Sequence, residues 1–283
     1  MNDSADLRRH PPSATRSGSG LGTKGPTVST GGAPSRESAE SRIRLLDLSF
    51  REPEMNLACD EFLLDRAESG RGGQVLRIWE SAVPFVVLGV SQPVRDYVRD
   101  NLCKQDGIPI LRRCSAGGCV LQGPGCLNFA LVLSHKLHPD VATIRGSYCY
   151  ILGKLAATLR ARGVAACHKG VSDLAVGGKK ISGNAQRRRK RFILHHGTIL
   201  YGMDAGLMER YLVEPNDRPK YRGDRPHRRF VRSVPLNPEI IREAICEAFG
   251  VVAPGIRLRK AERSDIEELA HEKYLSHMWN YRR

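Results

Sequence analysis

Residues 173–200 read DLAVGGKKISGNAQRRRKRFILHHGTIL. Gly177-Gly178 between two short apolar runs is a two-residue hairpin signal, so Asp173–Val176 and Lys179–Gly183 are predicted as paired antiparallel strands. Phe192–Tyr201 reads as a further strand. Alternation puts Lys179 and Lys180 on opposite faces, and one of them therefore points inward. An inward ammonium is costly unless an anion meets it, which makes it a candidate contact for a phosphate or an acyl carboxylate. An exposed lysine pair on an edge strand is the competing reading. His195 and His196 are likewise divided between the faces, so they do not form a shared metal site, and no zinc is expected.

Upstream, residues 112–133 read RRCSAGGCVLQGPGCLNFALVL. Strands at Ile108–Arg113 and Leu127–Leu133 flank a loop of small residues, through which backbone N–H groups can approach a ligand; two arginines at its mouth suit a phosphate or carboxylate. The GK[ST] ending and the GxGxxG spacing of the common nucleotide loops are missing. Other predicted strands are Ile43–Ser49, Val75–Glu80 and Phe85–Val90. Helices are expected from a cap at Asn56 to Arg66, along Ile144–Leu159 to a stop at Gly163, from Asn237-Pro238 to Gly250, and from a Ser264-x-x-Glu267 capping box to Tyr274. Hairpin-linked strands with few helices between them indicate an α/β (α+β) fold, a mixed, mostly antiparallel sheet covered by helices. A doubly wound parallel sheet would need a helix after nearly every strand.

Residues 1–41 are rich in Ser, Gly, Pro and Thr and lack aromatics, which predicts a disordered N-terminal arm ahead of one domain over 42–283. No apolar run reaches the ~18 residues of a membrane span, and the eight Cys show no CxxC pair, as expected of reduced thiols in a cytoplasmic protein. Of the net charge of +15, all but about +1 lies beyond the arm. That excess favours a polyanionic partner. The basic runs Arg187–Arg191 and Arg218–Arg232 allow a nucleic-acid-binding module, though their aromatics are sparse for stacking and RNA-binding signatures are missing. Cys167 beside His168 is a candidate nucleophile, with a structural thiol as the plainer reading.

The two quoted blocks resemble the RRxSGGGxVxHxxGxxN and DL…GKKIxGxAxR…HGT(I/L)L signatures of the lipoate–protein ligase and octanoyltransferase family, in the same order and separation. Asn56-x-Ala58-x-Asp60-Glu61, the stretch from Trp79 through Gly89 to Gln92, and Lys273-Tyr274…Trp279–Arg283 extend the likeness from Ile43 to Arg283. The resemblance implies the biotin/lipoate ligase fold and attachment of lipoate, or its octanoyl precursor, to a lysine of a lipoyl acceptor domain in 2-oxoacid dehydrogenase E2 subunits or glycine cleavage H protein. In the ligases the acid is first activated with ATP and Mg2+ as acyl-adenylate. The resemblance assigns Lys180 as the essential lysine, and Arg112, Arg113, Ser115, Ala116, Gly117 and Gly118 as the wrapping loop. It makes Asp173 and Asn184 orienting residues, Asn128, Gly183, His196, Gly197 and Thr198 substrate or nucleotide contacts, and Trp79 and Gly89 part of the acyl pocket. The alternative within the family is ATP-independent transfer from an acyl carrier protein through Cys167, which stands closer to the second block than that nucleophile usually does. Ala116 replaces a usual Gly and Gln122 a usual His. The chain also ends without the small C-terminal accessory domain of many ligases, so a separate accessory protein is a further expected partner. Asp173-Leu174 is ligase-like, and the ligase is the expected activity.

Overall fold

The computed structural model describes residues 42–251 and 255–282; the predicted arm lies outside them. In chain order the elements are β1 (Arg44–Asp47), α1 (Pro53–Glu68), β2 (Val75–Trp79), β3 (Phe85–Leu88), α2 (Val94–Tyr97), α3 (Asp100–Gln105), β4 (Ile110–Arg112), β5 (Val120–Gln122) and β6 (Cys126–Ser134). After a 3-10 turn at Pro139–Ala142 come α4 (Ile144–Ala161), β7 (Cys167–Lys169), β8 (Asp173–Val176), β9 (Lys179–Arg188) and β10 (Phe192–Leu200). The rest is helical: α5 (Ala205–Tyr211), α6 (His227–Phe230), α7 (Pro238–Ala248), α8 (Lys260–Leu269), a π turn at Ala270–Tyr274, and α9 (His277–Asn280). No helix among the described residues is long and apolar enough to cross a membrane.

Seven strands form one sheet in the order β1-β2-β6-β10-β9-β8-β7, and β4-β3-β5 form a second. Among the described strands of the large sheet β1–β2 pair in parallel and the rest antiparallel, the mostly antiparallel pairing that the hairpin signals predicted. Alternation along β6 and β10 sorts the side chains into two cores. Leu127, Phe129, Leu131, Leu133, Ile193 and Ile199 bury against Ile151, Leu155 and Leu159 of α4 and Ile241 and Ile245 of α7. Ala130, Val132 and Leu194 bury on the other face against Leu57, Leu63 and Leu64 of α1 and Ile266 of α8. A third cluster packs the small sheet (Val86, Leu88, Leu121) onto Met208 and Tyr211 of α5. The Gly177-Gly178 turn has φ of 57° and 73°, a left-handed pair that residues with a Cβ resist.

Two predicted helix starts are corrected. α1 begins at Pro53, and Asn56 lies in its first turn, where its carboxamide accepts from Phe50 N at 3.0 Å and donates to Phe50 O at 2.9 Å. Proline at the first helical position sets φ, so no side-chain cap is needed. In α8 the box is made by Arg259 and Glu262, and Ser264 falls inside the helix. The short strands β5 and β7 and helix α9 have no signal of their own in the sequence; partners found in the fold create them.

Candidate active site

One row of residues, opposite one another across five strands, supplies much of the site: Trp79 (β2), Asn128 (β6), Thr198 (β10), Gly183 (β9) and Asp173 (β8). Directly opposed residues in antiparallel strands point to the same face, and here it is the α1 face. Strict alternation would send Lys180 to the other face from Gly183. A register shift between Leu174 and Ala175 gives β9 one extra residue and turns Lys180 back toward Gly183. A Cβ at Gly183 would stand 2.7 Å from Lys180 Nζ, so the missing side chain is the room that the ammonium occupies. Lys180 Nζ is 2.8 Å from Asp173 Oδ1, and the Tyr221 hydroxyl donates to Asp173 Oδ2 at 2.7 Å. Lys179 points to solvent. Burial and the Asp173 carboxylate together push the Tyr221 phenol up.

Lys180 and Gly183 stand where two hollows meet. The smaller, of about 140 Å³, runs under α1 past Leu57, Asp60, Trp79, Phe129, His196 and Thr198. The larger, of about 530 Å³, is walled by Leu200, Met208, Leu212, Phe230 and Val231, with Arg218, Arg222 and His227 at its edge. The basic segment 218–232 is thus a wall rather than a solvated loop. Arg222 pairs with Glu214 and lies 4.8 Å over the Phe230 ring, Arg225 donates to Gly178 O at 2.9 Å, and Arg232 N donates to Lys180 O at 2.9 Å. In the run Arg187–Arg191 the first three residues are also held internally: Arg187 donates to Cys114 O, Arg188 to Val141 O and Ala142 O, and Arg189 to Asp65, while Lys190 and Arg191 are exposed.

The glycine-rich loop is braced from inside. Arg113 lines the small hollow and donates to Ser115 Oγ (3.0 Å), Ala116 O (2.7 Å) and Gly118 O (2.9 Å). It has no carboxylate partner among the described residues, and burial holds its guanidinium down to about 10. Ser115 Oγ lies 2.6 Å from His196 Nε2, and His196 Nδ1 lies 3.5 Å from Asp60 Oδ2; Asp60 in turn binds Arg77 at 2.7 Å. The floor is a second polar chain. Gln122 Nε2 donates to Thr198 Oγ1 (2.7 Å), which donates to Asn128 Oδ1 (2.6 Å).

Trp79, Arg113, Gly117, Gly118, Asn128, Lys180, Gly183, His196, Gly197 and Thr198 all line the small hollow, and Asp173 the large one. Five expected residues line neither hollow: Arg112, Ser115, Ala116, Gly89 and Cys167. Arg112 is fully buried with its guanidinium turned to backbone carbonyls, those of Gly89 (2.8 Å), Gln92 (2.6 Å) and Asn280 (2.8 Å), because α9 packs there and its carbonyls need donors. Gly89 backs the loop instead of the acyl chain: a Cβ there would stand 2.0 Å from Gly117 O. Asn184 borders the small hollow, but its carboxamide orients neither Lys180 nor Asp173: it donates to Ser172 O at 2.8 Å, with Oδ1 3.3 Å from His195 Nε2. Cys167 lies on edge strand β7 outside both linings, its thiol 3.4 Å from Ala175 O. Asp60 and Tyr221 are site residues that the sequence reading did not assign. Asp60-Glu61 on an otherwise buried helix face was a usable signal, whereas Tyr221 inside a basic run gave none.

Residues 52–250 match the model of the lipoyl protein ligase A/B catalytic domain. The chain belongs to this family. Octanoyltransferase LipM of Geobacillus kaustophilus is 30% identical over 276 residues, covering 85% of this chain and 98% of that protein. The bi-partite lipoate protein ligase of Thermoplasma acidophilum, studied with its E2 lipoyl domain, superposes with a TM-score of 0.72 at 26% identity over 84% of this chain and 95% of that one. A crystal structure of lipoate-protein ligase A bound with ATP also gives a TM-score of 0.72 at 26% identity, over 84% of this chain and 98% of that one. The protein is therefore an enzyme of the lipoate ligase and octanoyltransferase family, with the biotin/lipoate ligase fold.

Proposed function

We propose that this protein is an ATP-dependent lipoate–protein ligase, which activates lipoate or octanoate as acyl-adenylate and passes the acyl group to a lysine of a lipoyl acceptor domain. The observation that carries this reading is the position of Lys180 at the junction of a slot under α1 and a larger cavity with arginines at its edge. The slot suits the acyl chain and the cavity suits a nucleotide. In the first step an acyl carboxylate oxygen bonds to the α-phosphorus as the bond to pyrophosphate breaks; in the second the acceptor amine attacks the acyl carbon and AMP leaves. Lys180 and Arg113 would stabilise the negative charge developing on the phosphoryl and acyl oxygens. Asp173 would release Lys180 when those oxygens arrive, with Tyr221 holding the freed carboxylate in place. The same carboxylate fits a magnesium ion carried in on the nucleotide phosphates, a hard cation that keeps oxygen ligands.

The test is acyl-dependent exchange of pyrophosphate into ATP by the purified protein. No exchange with lipoate or octanoate, alone or with an accessory protein, rejects the ligase. The second reading, octanoyl transfer through Cys167, is favoured by the likeness to LipM and by the cross-strand row Cys167, Ala175, Lys180, which puts thiol and ammonium on one face two strands apart. It requires a hydroxylamine-labile acyl adduct on Cys167 after mixing with octanoyl carrier protein and no ATP.

A further inference from the structure

The segment 273–282 is tied to both walls of the small hollow. On the α1 side Lys273 Nζ and the Tyr274 hydroxyl donate to Glu61 Oε2, at 2.6 and 2.8 Å, and Glu61 is the neighbour of Asp60, which lines the hollow. On the side of the glycine-rich loop the segment takes the place of a strand. β4 is an edge of the small sheet, so the outward N–H and C=O of its last residue, Arg112, meet no neighbouring strand among the described residues. Asn280 Oδ1 accepts from Arg112 N at 2.9 Å, and Trp279 Nε1 donates to Arg112 O at 2.8 Å. On the inner side Arg113 N donates to Leu88 O of β3 at 3.0 Å. The backbone is thus held from both sides at the step from which Arg113 reaches the hollow. Two further ties lead to the loop itself. Arg282 donates to Val90 O at 2.6 Å while Val90 N donates to Ser115 O at 2.8 Å, and the Arg112 guanidinium holds Gly89, against which Gly117 packs. Trp279 is itself kept in place by two cations, Lys273 Nζ at 4.2 Å and Arg282 Cζ at 4.0 Å from its ring centroid.

We propose that Trp279 and Asn280 are positioning residues for acyl binding, and that docking of the segment 273–282 as a strap is coupled to occupation of the small hollow. The inference rests on the small hollow being the acyl site and on Arg113 and its loop meeting the acyl carboxylate, and it applies to ligase and transferase alike. No residue of 273–282 lines either hollow, so the effect passes through Arg112 and α1. Its physical origin is the cost of order. Ala116, Gly117 and Gly118 are exposed, so no core packs this part of the loop into one shape and its anchors must do so. With the strap docked, Arg113 and the loop are set before the acid arrives; with the strap displaced, the acid must supply that ordering from its own binding energy. The coupling is reciprocal: the factor by which docking raises affinity for the acid is the factor by which the acid favours docking.

Hydrogen exchange on the full chain, with and without saturating lipoate and with neither ATP nor acceptor, reads this coupling directly. The reporters are the amides of Trp279, Asn280 and Tyr281, which donate to Ser276 O and His277 O. They belong to a single turn at the surface that opens locally, so a ligand that only stabilises the whole fold does not slow them. Lipoate should slow their exchange at least about threefold. Trp279→Leu and Asn280→Ala, made together, should raise the calorimetric Kd for lipoate about tenfold and abolish the slowing. Met278→Ala, at an exposed position of the same helix, should change neither. Unchanged exchange at these amides under saturating lipoate overturns the proposal, and that result stands even if the double variant fails to fold. A folded double variant that binds lipoate as tightly as the unmodified chain also overturns it, because a purely structural strap would lower Tm and leave Kd alone. If lipoate does not bind the unmodified chain, the acyl-site reading falls together with the inference; if it binds without slowing these amides, the inference falls alone.

Discussion

Replacing Lys180 by alanine removes one half of a short ion pair whose other half stays buried. At 2.8 Å and an effective dielectric of 20 the gross attraction is about 6 kcal/mol, most of it offset by desolvation. Removing one partner of a fully buried pair costs about 3–5 kcal/mol. The Lys180 side chain is 25% exposed, and Asp173 keeps its bond from Tyr221, so a loss of about 2 kcal/mol is expected here. For a domain of this size that corresponds to a fall of roughly 4–8 °C in Tm. The catalytic loss should be larger, about 10²–10³ in pyrophosphate exchange, because the ammonium acts on charge that exists only as the reaction proceeds. Lys179→Ala should change Tm by less than about 1–2 °C and exchange less than twofold, since Lys179 is exposed. Exchange and thermal melts on the same preparations separate the two effects. Equal losses in the two variants would refute the assignment of the facing lysine, and a Lys180→Ala enzyme that exchanges normally would refute its role.

Gly183→Ala places a methyl 2.7 Å from Lys180 Nζ, against the far end of a flexible side chain, so the fold should survive while exchange drops at least about tenfold. A fully active Gly183→Ala enzyme would show that the ammonium does not need that space. Arg112→Met strips donors from the carbonyls of Gly89, Gln92 and Asn280 and should cost about 3–4 kcal/mol, read by denaturant titration, with residues 273–282 becoming the first site of limited proteolysis. Loss of activity at unchanged stability would return Arg112 to the substrate. His195 is fully buried, and burial, with smaller effects of His196 and His168, holds its imidazole down to about 3. Between pH 6.5 and that value the unfolded chain binds a proton the folded one refuses, so this contribution is intact above 6.5 and is lost at about 1.4 kcal/mol per pH unit below it. His195→Gln should therefore shrink the stability difference between pH 7 and pH 5 by about 2 kcal/mol, and an unaltered difference would place that proton elsewhere.

Local chemistry made the frame legible. The Gly177-Gly178 turn, the alternation in β10 that divides His195 from His196, and Asn237 capping α7 through Ile240 N at 2.9 Å each depend on neighbours a few residues away. What escaped the sequence depends on distant partners. The facing of Lys180 is set by a register shift against β8, which alternation along β9 alone could not supply. Arg112 and Arg113 are adjacent and chemically alike. Only the docking of α9, more than 160 residues away, draws one guanidinium from the hollow and leaves the other in it. The basic segment 218–232 offered the sequence reading only its charge, and with it a nucleic-acid surface, whereas Phe230 and Glu214, which fold it into a wall, lay outside any periodic pattern.

The most direct test of the ligase is the intact mass of a lipoyl acceptor domain after incubation with the enzyme. One arm holds lipoate with ATP and magnesium, the other octanoyl carrier protein without ATP. The account predicts addition of one lipoyl group in the first arm, lost in Lys180→Ala, and no addition in the second. An octanoyl group appearing only in the second arm would contradict it and assign the chemistry to acyl transfer.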